Sequence, residues 1–213
     1  MMAAVAVCAS AYAQEAEKKD SLPTEAAMLQ AAGQLVEYGY ANEEALPLVQ
    51  AAQIYKTYLG GQLDATKTTE GGADDQAAKA SKVSHNVDQL LAAATTFADG
   101  NQGLLAVIND VKNSASRGAT SYFPTRTERV KAHATDVYNV RFEGGEPAVV
   151  IVDGDGDTDL DLYVYDNNGN LVASDTDYTD YCICTWTPRW TGNFKIKIVN
   201  RGDVYNEYLI GIN

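Results

Sequence analysis

Histidine is almost absent from this sequence, which contains only His85 and His133 among 213 residues. The chain has neither the His-Glu-x-x-His pattern of zinc peptidases nor the Gly-x-Ser-x-Gly pattern that surrounds a nucleophilic serine. His85 lies in a polar helical stretch and His133 in a polar connector, so each is most simply a surface residue. Because a nucleophile, a base and an orienting group are not found together, we predict a protein that is not an enzyme.

Positive charge is also scarce, with 16 Lys and Arg against 29 Asp and Glu, and the formal net charge is -13. A surface of this sign repels nucleic-acid phosphates and anionic membranes, so we expect neither as a partner. The acidity suits an exported protein that binds cations, and solubility alone is the other explanation. A chain of 213 residues can form one large domain or two small ones.

Long apolar runs are missing, except for a short one at the N-terminus, so we predict no transmembrane segment in the mature chain. The first residues read MMAAVAVCASAYA and end in the small-x-small form of a signal-peptidase site. An intensely polar run follows directly. We therefore predict a signal peptide over residues 1–13, a flexible leader over residues 14–23, and a periplasmic or secreted protein.

Cysteine is rare, and removal of the signal peptide leaves only Cys182 and Cys184. An exported chain with two cysteines can form a disulfide. However, residues i and i+2 of a strand lie near the upper limit of the distance that a disulfide spans. The alternative is a pair of small apolar residues on one strand face, and the sequence leaves both open. The Cys-x-Cys pair alone offers too few ligands for zinc.

The period of the apolar residues divides the chain into a helical half and a β half. The predicted elements are helices at about 24–40, 42–59, 73–98 and 102–114, and strands at 135–142, 148–152, 160–165, 171–174, 183–186, 193–199 and 205–212. We thus predict an α+β, two-domain chain. An antiparallel helical bundle or set of helical hairpins over 24–114 is followed by a basic linker over 115–134 and a jelly-roll-like antiparallel β-sandwich over 135–213.

An acidic loop leads into the third of these strands, where residues 153–165 read DGDGDTDLDLYVY. If each connection reverses the chain, this loop, the loop after strand 171–174 and residues 201–203 fall at the same end of the sandwich. Neighbouring carboxylates repel and raise one another's pKa, and a hard cation relieves that repulsion.

Calcium takes six to eight oxygen ligands, which carboxylates and the carbonyl groups of glycine-rich loops supply. We therefore predict a Ca²⁺ site at this end. The predicted ligands are Asp153, Asp155, Asp157, Asp159, Asp175, Asp177 and Asp180. Asp161 lies deeper in its strand, so we expect it to orient the loop by hydrogen bonding. The alternative is that these exposed carboxylates only solubilise a turn.

Four sequence motifs in the β half occur in a distinctive order. A Phe-x-Gly corner at 142–144 precedes Asp-Leu-Asp-Leu-Tyr at 159–163, Asn-Gly-Asn-Leu at 168–171, and Thr-Gly-Asn-Phe-Lys-Ile-Lys-Ile at 191–198. Residues 133–213 thereby resemble the bacterial pre-peptidase C-terminal domain. The resemblance implies a β-sandwich, export, and non-catalytic targeting or binding. The Cys-x-Cys pair and Trp190 depart from the family pattern.

These observations predict an exported, non-catalytic binding or accessory protein with a calcium-stabilised β-sandwich that recruits a protein or a polysaccharide. One alternative is a structural or interaction protein of the cell envelope that acts through its helical domain. A hydrolase with an unrecognised site is the other alternative. Fold alone does not choose the ligand.

Overall fold

The computed structural model describes residues 24–72, 83, 86–114 and 123–213, so the predicted signal peptide, the predicted leader and His85 lie outside the described residues. Within them the chain is α+β, with four helices in the N-terminal part and most of the ten strands in the C-terminal part. The elements are α1 (Thr24–Asn42), α2 (Ala45–Tyr58), β1 (Leu59–Gln62), β2 (Lys67–Gly71), α3 (Val87–Phe97), α4 (Gln102–Asn113), β3 (Phe123–Val130), β4 (Ala134–Phe142), β5 (Ala148–Asp153), β6 (Leu160–Tyr165), β7 (Leu171–Asp175), β8 (Tyr181–Trp186), β9 (Gly192–Asn200) and β10 (Asn206–Ile212).

Side-chain caps begin two of the helices. The Asn86 side chain accepts hydrogen bonds at the start of α3, and the Asn101 side chain does the same at the start of α4. Asn42 ends α1 and donates its Nδ2 to the Tyr38 carbonyl at 2.9 Å, so the second helix begins at Ala45 and not at about residue 42 as predicted. No helix in the described part of the chain combines the length and apolarity that a membrane crossing requires.

The strands form two five-stranded sheets. Sheet A has the order β1-β3-β10-β5-β8, and sheet B has the order β2-β4-β9-β6-β7. The β1–β3 pair is parallel and the other strand pairs are antiparallel. The strands predicted after residue 134 are present, with their ends shifted by at most a few residues.

Three strands correct the predicted domain boundaries. Residues 123–130, predicted as linker, form β3, which lies between β1 and β10 in sheet A. β1 and β2 fall within the predicted helical domain, where a helix end and a loop were expected. β1 and β2 lie at sheet edges, where they leave much of their surface in water. Of the predicted linker, residues 115–122 lie outside the described residues.

The two sheets bury side chains in one shared core. Sheet A contributes Val150, Val152 and Ile210, and sheet B contributes Leu162 and Ile196, to the same buried cluster. The Tyr138 hydroxyl of β4 and the Tyr208 hydroxyl of β10 lie 2.7 Å apart, so a hydrogen bond crosses between the sheets. The interior of the β half is therefore built by both sheets together.

The helices cover the other face of sheet A. A second buried cluster joins apolar residues of the four helices to Phe123, Val149 and Ile151 of sheet A. Contact is close at Gly33 of α1, where an added Cβ would lie 2.9 Å from the Tyr181 ring. Sheet A is thus buried on both faces, which explains why β5 is a continuous apolar run. In β9 of sheet B, buried and more exposed residues alternate.

Candidate functional site

The structure brings the two predicted acidic loops into contact at one end of the sheets. The Gly154 amide donates to the Asp180 carbonyl at 3.0 Å, and the Gly156 amide donates to the Asp180 carboxylate. The approach requires glycine at 154, because a Cβ there would collide with the carboxylate of Asp180 and the amide of Asn206. We call residues 153–161 and 175–180 the acidic end.

Several carboxylates of the acidic end accept hydrogen bonds from the protein backbone. Asp155 accepts from the Glu207 amide at 2.9 Å and from the Asp157 amide at 3.1 Å. In the same way, Asp175 accepts from the Ile183 amide at 2.9 Å, and Asp177 accepts from the Thr179 amide at 2.9 Å. These donors stabilise the negative charges without a cation, an effect that the prediction of a metal site did not include.

Asp153 connects the acidic end to the helices. Its carboxylate is buried at the end of β5, and its Oδ2 accepts the Tyr55 hydroxyl of α2 at 2.8 Å. Burial and the charge of Asp153 raise the pKa of Tyr55 well above its ordinary value, so the hydroxyl stays protonated and donates. A side chain of the helical layer thus fixes the first residue of the predicted site.

Asp161 and Arg201 form an ion pair on the outward side of sheet B. The Arg201 Nε donates to Asp161 Oδ2 at 2.5 Å, and the Tyr163 hydroxyl donates to the same oxygen at 3.1 Å. The Arg201 amide also donates to the Asp159 carbonyl at 3.0 Å. Asp161 therefore makes side-chain hydrogen bonds, and Arg201 connects it to the loop.

Asp159 has a poorly compensated carboxylate at the acidic end. Burial first, and then the charges of Asp161 and Asp177, raise the pKa of Asp159, while Arg201 acts in the opposite direction. Its Oδ1 and the Thr158 Oγ1 are buried and have no hydrogen-bond partner among the residues that the structure describes. These two oxygens are the observation that fits a cation best.

No metal site is preformed in the described ranges, where no group of three or more His, Cys, Asp or Glu side chains is placed to hold an ion. Asp153, Asp155, Asp175 and Asp180 each accept at least one hydrogen bond from the protein. The predicted ligands are therefore near one another, but the side chains of these four point to protein donors.

Cys182 and Cys184 are free, buried thiols on β8 that face the shared core. Of the two alternatives left open by the sequence, the structure has the pair of small apolar residues. The Cys182 Sγ donates to the Leu160 carbonyl at 3.0 Å. Burial raises the pKa of both thiols, that of Cys184 to about 12, so neither is an ionised nucleophile at neutral pH.

Sequence reasoning missed Asn206, which organises the acidic end from the start of β10. Its side chain is fully buried, and its Nδ2 donates to Asp180 at 3.2 Å and to the Thr158 carbonyl at 3.3 Å. Its Oδ1 accepts the Asp155 amide at 3.4 Å. The available signal for Asn206 was a polar residue at the start of a buried strand. A buried polar side chain needs hydrogen-bond partners, so such a residue indicates a polar network around it.

A second candidate region lies on the outward face of sheet B, away from the shared core. There a cavity of about 590 Å³ opens beside the β6–β7 turn. It is lined by Asn139, Tyr165, Asp166, Asn167, Asn168, Gly169, Lys195 and Lys197. We call it the sheet B pocket.

Comparison with models of known protein families gives no match, and comparison with curated proteins gives none either. The resemblance to the pre-peptidase C-terminal domain therefore stays a prediction from the motifs.

Proposed function

We propose that this chain is an exported, non-catalytic binding protein, whose two sheets form a jelly-roll-like β-sandwich that recruits a protein or a polysaccharide through sheet B. The observation that carries this proposal is the difference between the two outward faces. Helices bury the outward face of sheet A, whereas the outward face of sheet B carries polar and aromatic side chains around the sheet B pocket. A concave surface with a few polar groups is the usual form of a ligand site.

Comparing two surface variants for ligand retention tests this proposal. The full chain would be immobilised and exposed to envelope proteins and to insoluble polysaccharides. Lys197→Glu alters the sheet B pocket and breaks the Lys197–Glu70 ion pair, whose atoms lie 3.1 Å apart. We expect this variant to lose the retained ligand, while Leu46→Ser on the exposed side of α2 retains it. The reverse pattern would contradict a binding role of sheet B.

A second candidate function is that of an envelope interaction protein that acts through its helices. The observation that favours it is the exposure of apolar side chains on the helical layer. Met28, Tyr38, Leu46 and Val107 are exposed on α1, α2 and α4. Single exposed apolar residues are common on protein surfaces, and this observation weighs less than the pocket. Loss of ligand in Leu46→Ser and not in Lys197→Glu would favour this function.

We also propose that calcium stabilises the acidic end through Asp159 and its neighbour Asp177. The support is the raised pKa of Asp159 and the buried oxygens of Asp159 and Thr158 that lack donors in the described residues. A ligand that binds only the folded chain adds about 2.7 kcal/mol of stability at a hundredfold excess over its dissociation constant.

Melting the full chain in calcium and in chelator tests the calcium proposal. We expect a higher melting temperature in calcium and no difference in Asp159→Asn. The control is Asp64→Asn, which changes an exposed carboxylate in the β1–β2 loop. A melting temperature that is indifferent to millimolar calcium would favour solubility as the reason for the acidic loops.

Export is proposed from the sequence of residues 1–23, which lie outside the described residues. Mass spectrometry of the protein recovered from periplasm or medium should show a mature N-terminus near Gln14. Recovery of the chain from the cytoplasm with Met1 intact would contradict export.

A further inference from the structure

Strand register places side chains of the sheet B pocket in one row across three neighbouring strands. Asn139 of β4 is the register partner of Lys195 of β9, and Lys195 is the partner of Tyr165 of β6. Partners across antiparallel strands lie about 5 Å apart on the same face. An amide, an ammonium group and a phenol therefore stand side by side on the outward face of sheet B.

One wall of the pocket is the β6–β7 turn, which Asp166 holds in place. The Asp166 Oδ1 accepts the amides of Asn168 and Asn170, both at 2.8 Å, and its Oδ2 accepts the Asn170 side-chain amide at 2.9 Å. These bonds lower the pKa of Asp166, so it remains an ionised acceptor at neutral pH. Gly169 completes the turn with φ of 83°. The exposed side chains of Asn167 and Asn168 are thus displayed on a fixed backbone.

The Tyr165 ring is also supported. Its neighbour Tyr163 stacks on it with ring centroids 6.4 Å apart and an interplanar angle of 25°. Tyr163 is held in turn by Arg201, whose Nη2 donates to the Tyr163 hydroxyl at 3.1 Å. Tyr165 lines the pocket, whereas Tyr163 does not. A ring fixed in this way loses little conformational entropy when it contacts a ligand.

The charges around the pocket nearly cancel. Lys197 is paired with Glu70, and the remaining cation, Lys195, shares the pocket with the carboxylate of Asp166. Neither the Asn139 nor the Lys195 side chain makes a hydrogen bond or ion pair within the part of the chain that the structure describes. The pocket therefore offers donors and acceptors without a strong net charge, which suits a ligand rich in hydroxyl groups better than a phosphate or a sulfate.

A peptide fits this position less well. The pocket lies over β4, β9 and β6, which are paired on both sides within sheet B, so no free strand edge is available for an added strand. A sugar ring presents C–H bonds on its face and hydroxyl groups at its edge, and these match an aromatic ring bordered by amides and an ammonium group. The volume of about 590 Å³ lies within the range of small-ligand sites.

We propose that the sheet B pocket binds a neutral pyranose unit of an oligosaccharide, with Tyr165 contacting the sugar ring and Asn139, Asn168 and Lys195 binding its hydroxyl groups. This rests on the proposed function and names its ligand class. The roles follow from chemistry: the phenol ring offers the apolar surface, and the amides and the ammonium group offer hydrogen bonds along its rim.

The test is an array of neutral gluco-, manno-, galacto- and N-acetylglucosamine oligosaccharides, with uronic-acid oligosaccharides as a second arm, probed with the full chain. Hits are then titrated by calorimetry. We expect Tyr165→Ala to weaken binding by about tenfold or more. Tyr165→Phe, which keeps the ring, should stay within about threefold of the wild type, because a hydroxyl in water contributes little. The matched control is Tyr178→Ala, since Tyr178 is 97% exposed in the loop of the acidic end.

The outcomes separate this inference from the proposed function. Weakening by Tyr165→Ala with an unchanged melting temperature supports the pocket. Binding to uronic-acid oligosaccharides alone, or equal binding by wild type and Tyr165→Ala, overturns the assignment. A chain that retains an envelope protein through sheet B but binds no oligosaccharide overturns the sugar site and leaves the proposed function in place. A chain that retains neither overturns both.

Discussion

Replacing Tyr55 by Phe tests whether the helical layer stabilises the acidic end. The hydroxyl of this buried residue on α2 donates to Asp153 Oδ2 at 2.8 Å, across the boundary between the helices and sheet A. Tyr55→Phe removes one oxygen atom and leaves the ring in its packing. The change therefore isolates a hydrogen bond between two parts of the chain that are 98 residues apart in sequence.

The expected loss is about 2 kcal/mol of unfolding free energy. A hydrogen bond to a charged group contributes about 1.5–3 kcal/mol, because its loss leaves a buried carboxylate less well solvated. Asp153 is only 4% exposed, so water does not readily replace the missing donor. For a domain of this size, about 2 kcal/mol corresponds to a decrease in melting temperature of about 4–8 °C.

Urea denaturation followed by circular dichroism measures this loss as a lower midpoint with an unchanged slope. Tyr38→Phe is the matched control, because the Tyr38 hydroxyl lies 3.5 Å from Glu44 Oε1 on the exposed surface of the same layer. We expect the control to change stability by less than about 0.5 kcal/mol. Equal effects of the two substitutions would refute the reasoning that the Tyr55–Asp153 bond holds the helices to the acidic end.

Three further predictions concern other parts of the chain. Burial raises the pKa of Glu128, but the hydrogen bond and charge of Lys67 and the charge of Arg126 outweigh it and lower that pKa below its ordinary value. The wild type should therefore be more stable than Glu128→Gln above about pH 4.3, the ordinary Glu value, and should lose that difference as the pH falls through the lowered pKa. Denaturation at several pH values measures the difference. Iodoacetamide at pH 8 should leave Cys182 and Cys184 unmodified in the folded chain and alkylate both after denaturation, as peptide mapping will show; modification of the folded chain would contradict their burial. A fragment of residues 123–213 should be less soluble than the full chain in light scattering, because it exposes the apolar outward face of sheet A; a soluble, monomeric fragment would mean that the helices are dispensable.

Much of the β half could be predicted because its strands carry strong local signals. β6 and β9 alternate between core and surface residues, and β5 is a short apolar run. The turn at Asn168 and Gly169 is similarly marked by residues that favour a positive φ. These signals act over a few residues, so they survive without knowledge of the rest of the fold.

The first three strands could not be predicted from such signals. β1 contains Gly60 and Gly61, which favour a helix end, and β2 is a polar stretch with two threonines. β3 has apolar residues mainly at its ends, Phe123 in the cluster under the helices and Val130 in the shared core. What makes these segments strands is pairing with segments far away in sequence: β1 pairs with β3, β2 with β4, and β3 with β10. Five of the eight residues of β3 are polar or charged, and this composition is typical of a linker.

The acidic end shows the same division between local and distant information. Strand direction was enough to predict that the loops around Asp155 and Asp180 lie together, and the hydrogen bonds from Gly154 and Gly156 to Asp180 show that they do. The donors that satisfy the carboxylates come from Glu207 and from residues such as Tyr55 and Asn206 in other elements. An estimate of repulsion from the sequence alone therefore leaves these donors out.

The two faces of the strands explain why the chain needs its helices and where a ligand has room to bind. β5 is apolar on both sides, so sheet A can be stable in water only if a second layer covers it, and α1 to α4 provide that layer. β9 is apolar on one side only, and its Lys195 and Lys197 face outward from sheet B. A ligand that bound on sheet A would have to displace buried helix contacts, whereas a ligand on sheet B displaces only water. This difference in cost favours sheet B as the proposed binding surface, and the Tyr55→Phe and fragment experiments measure how much the helices contribute to stability.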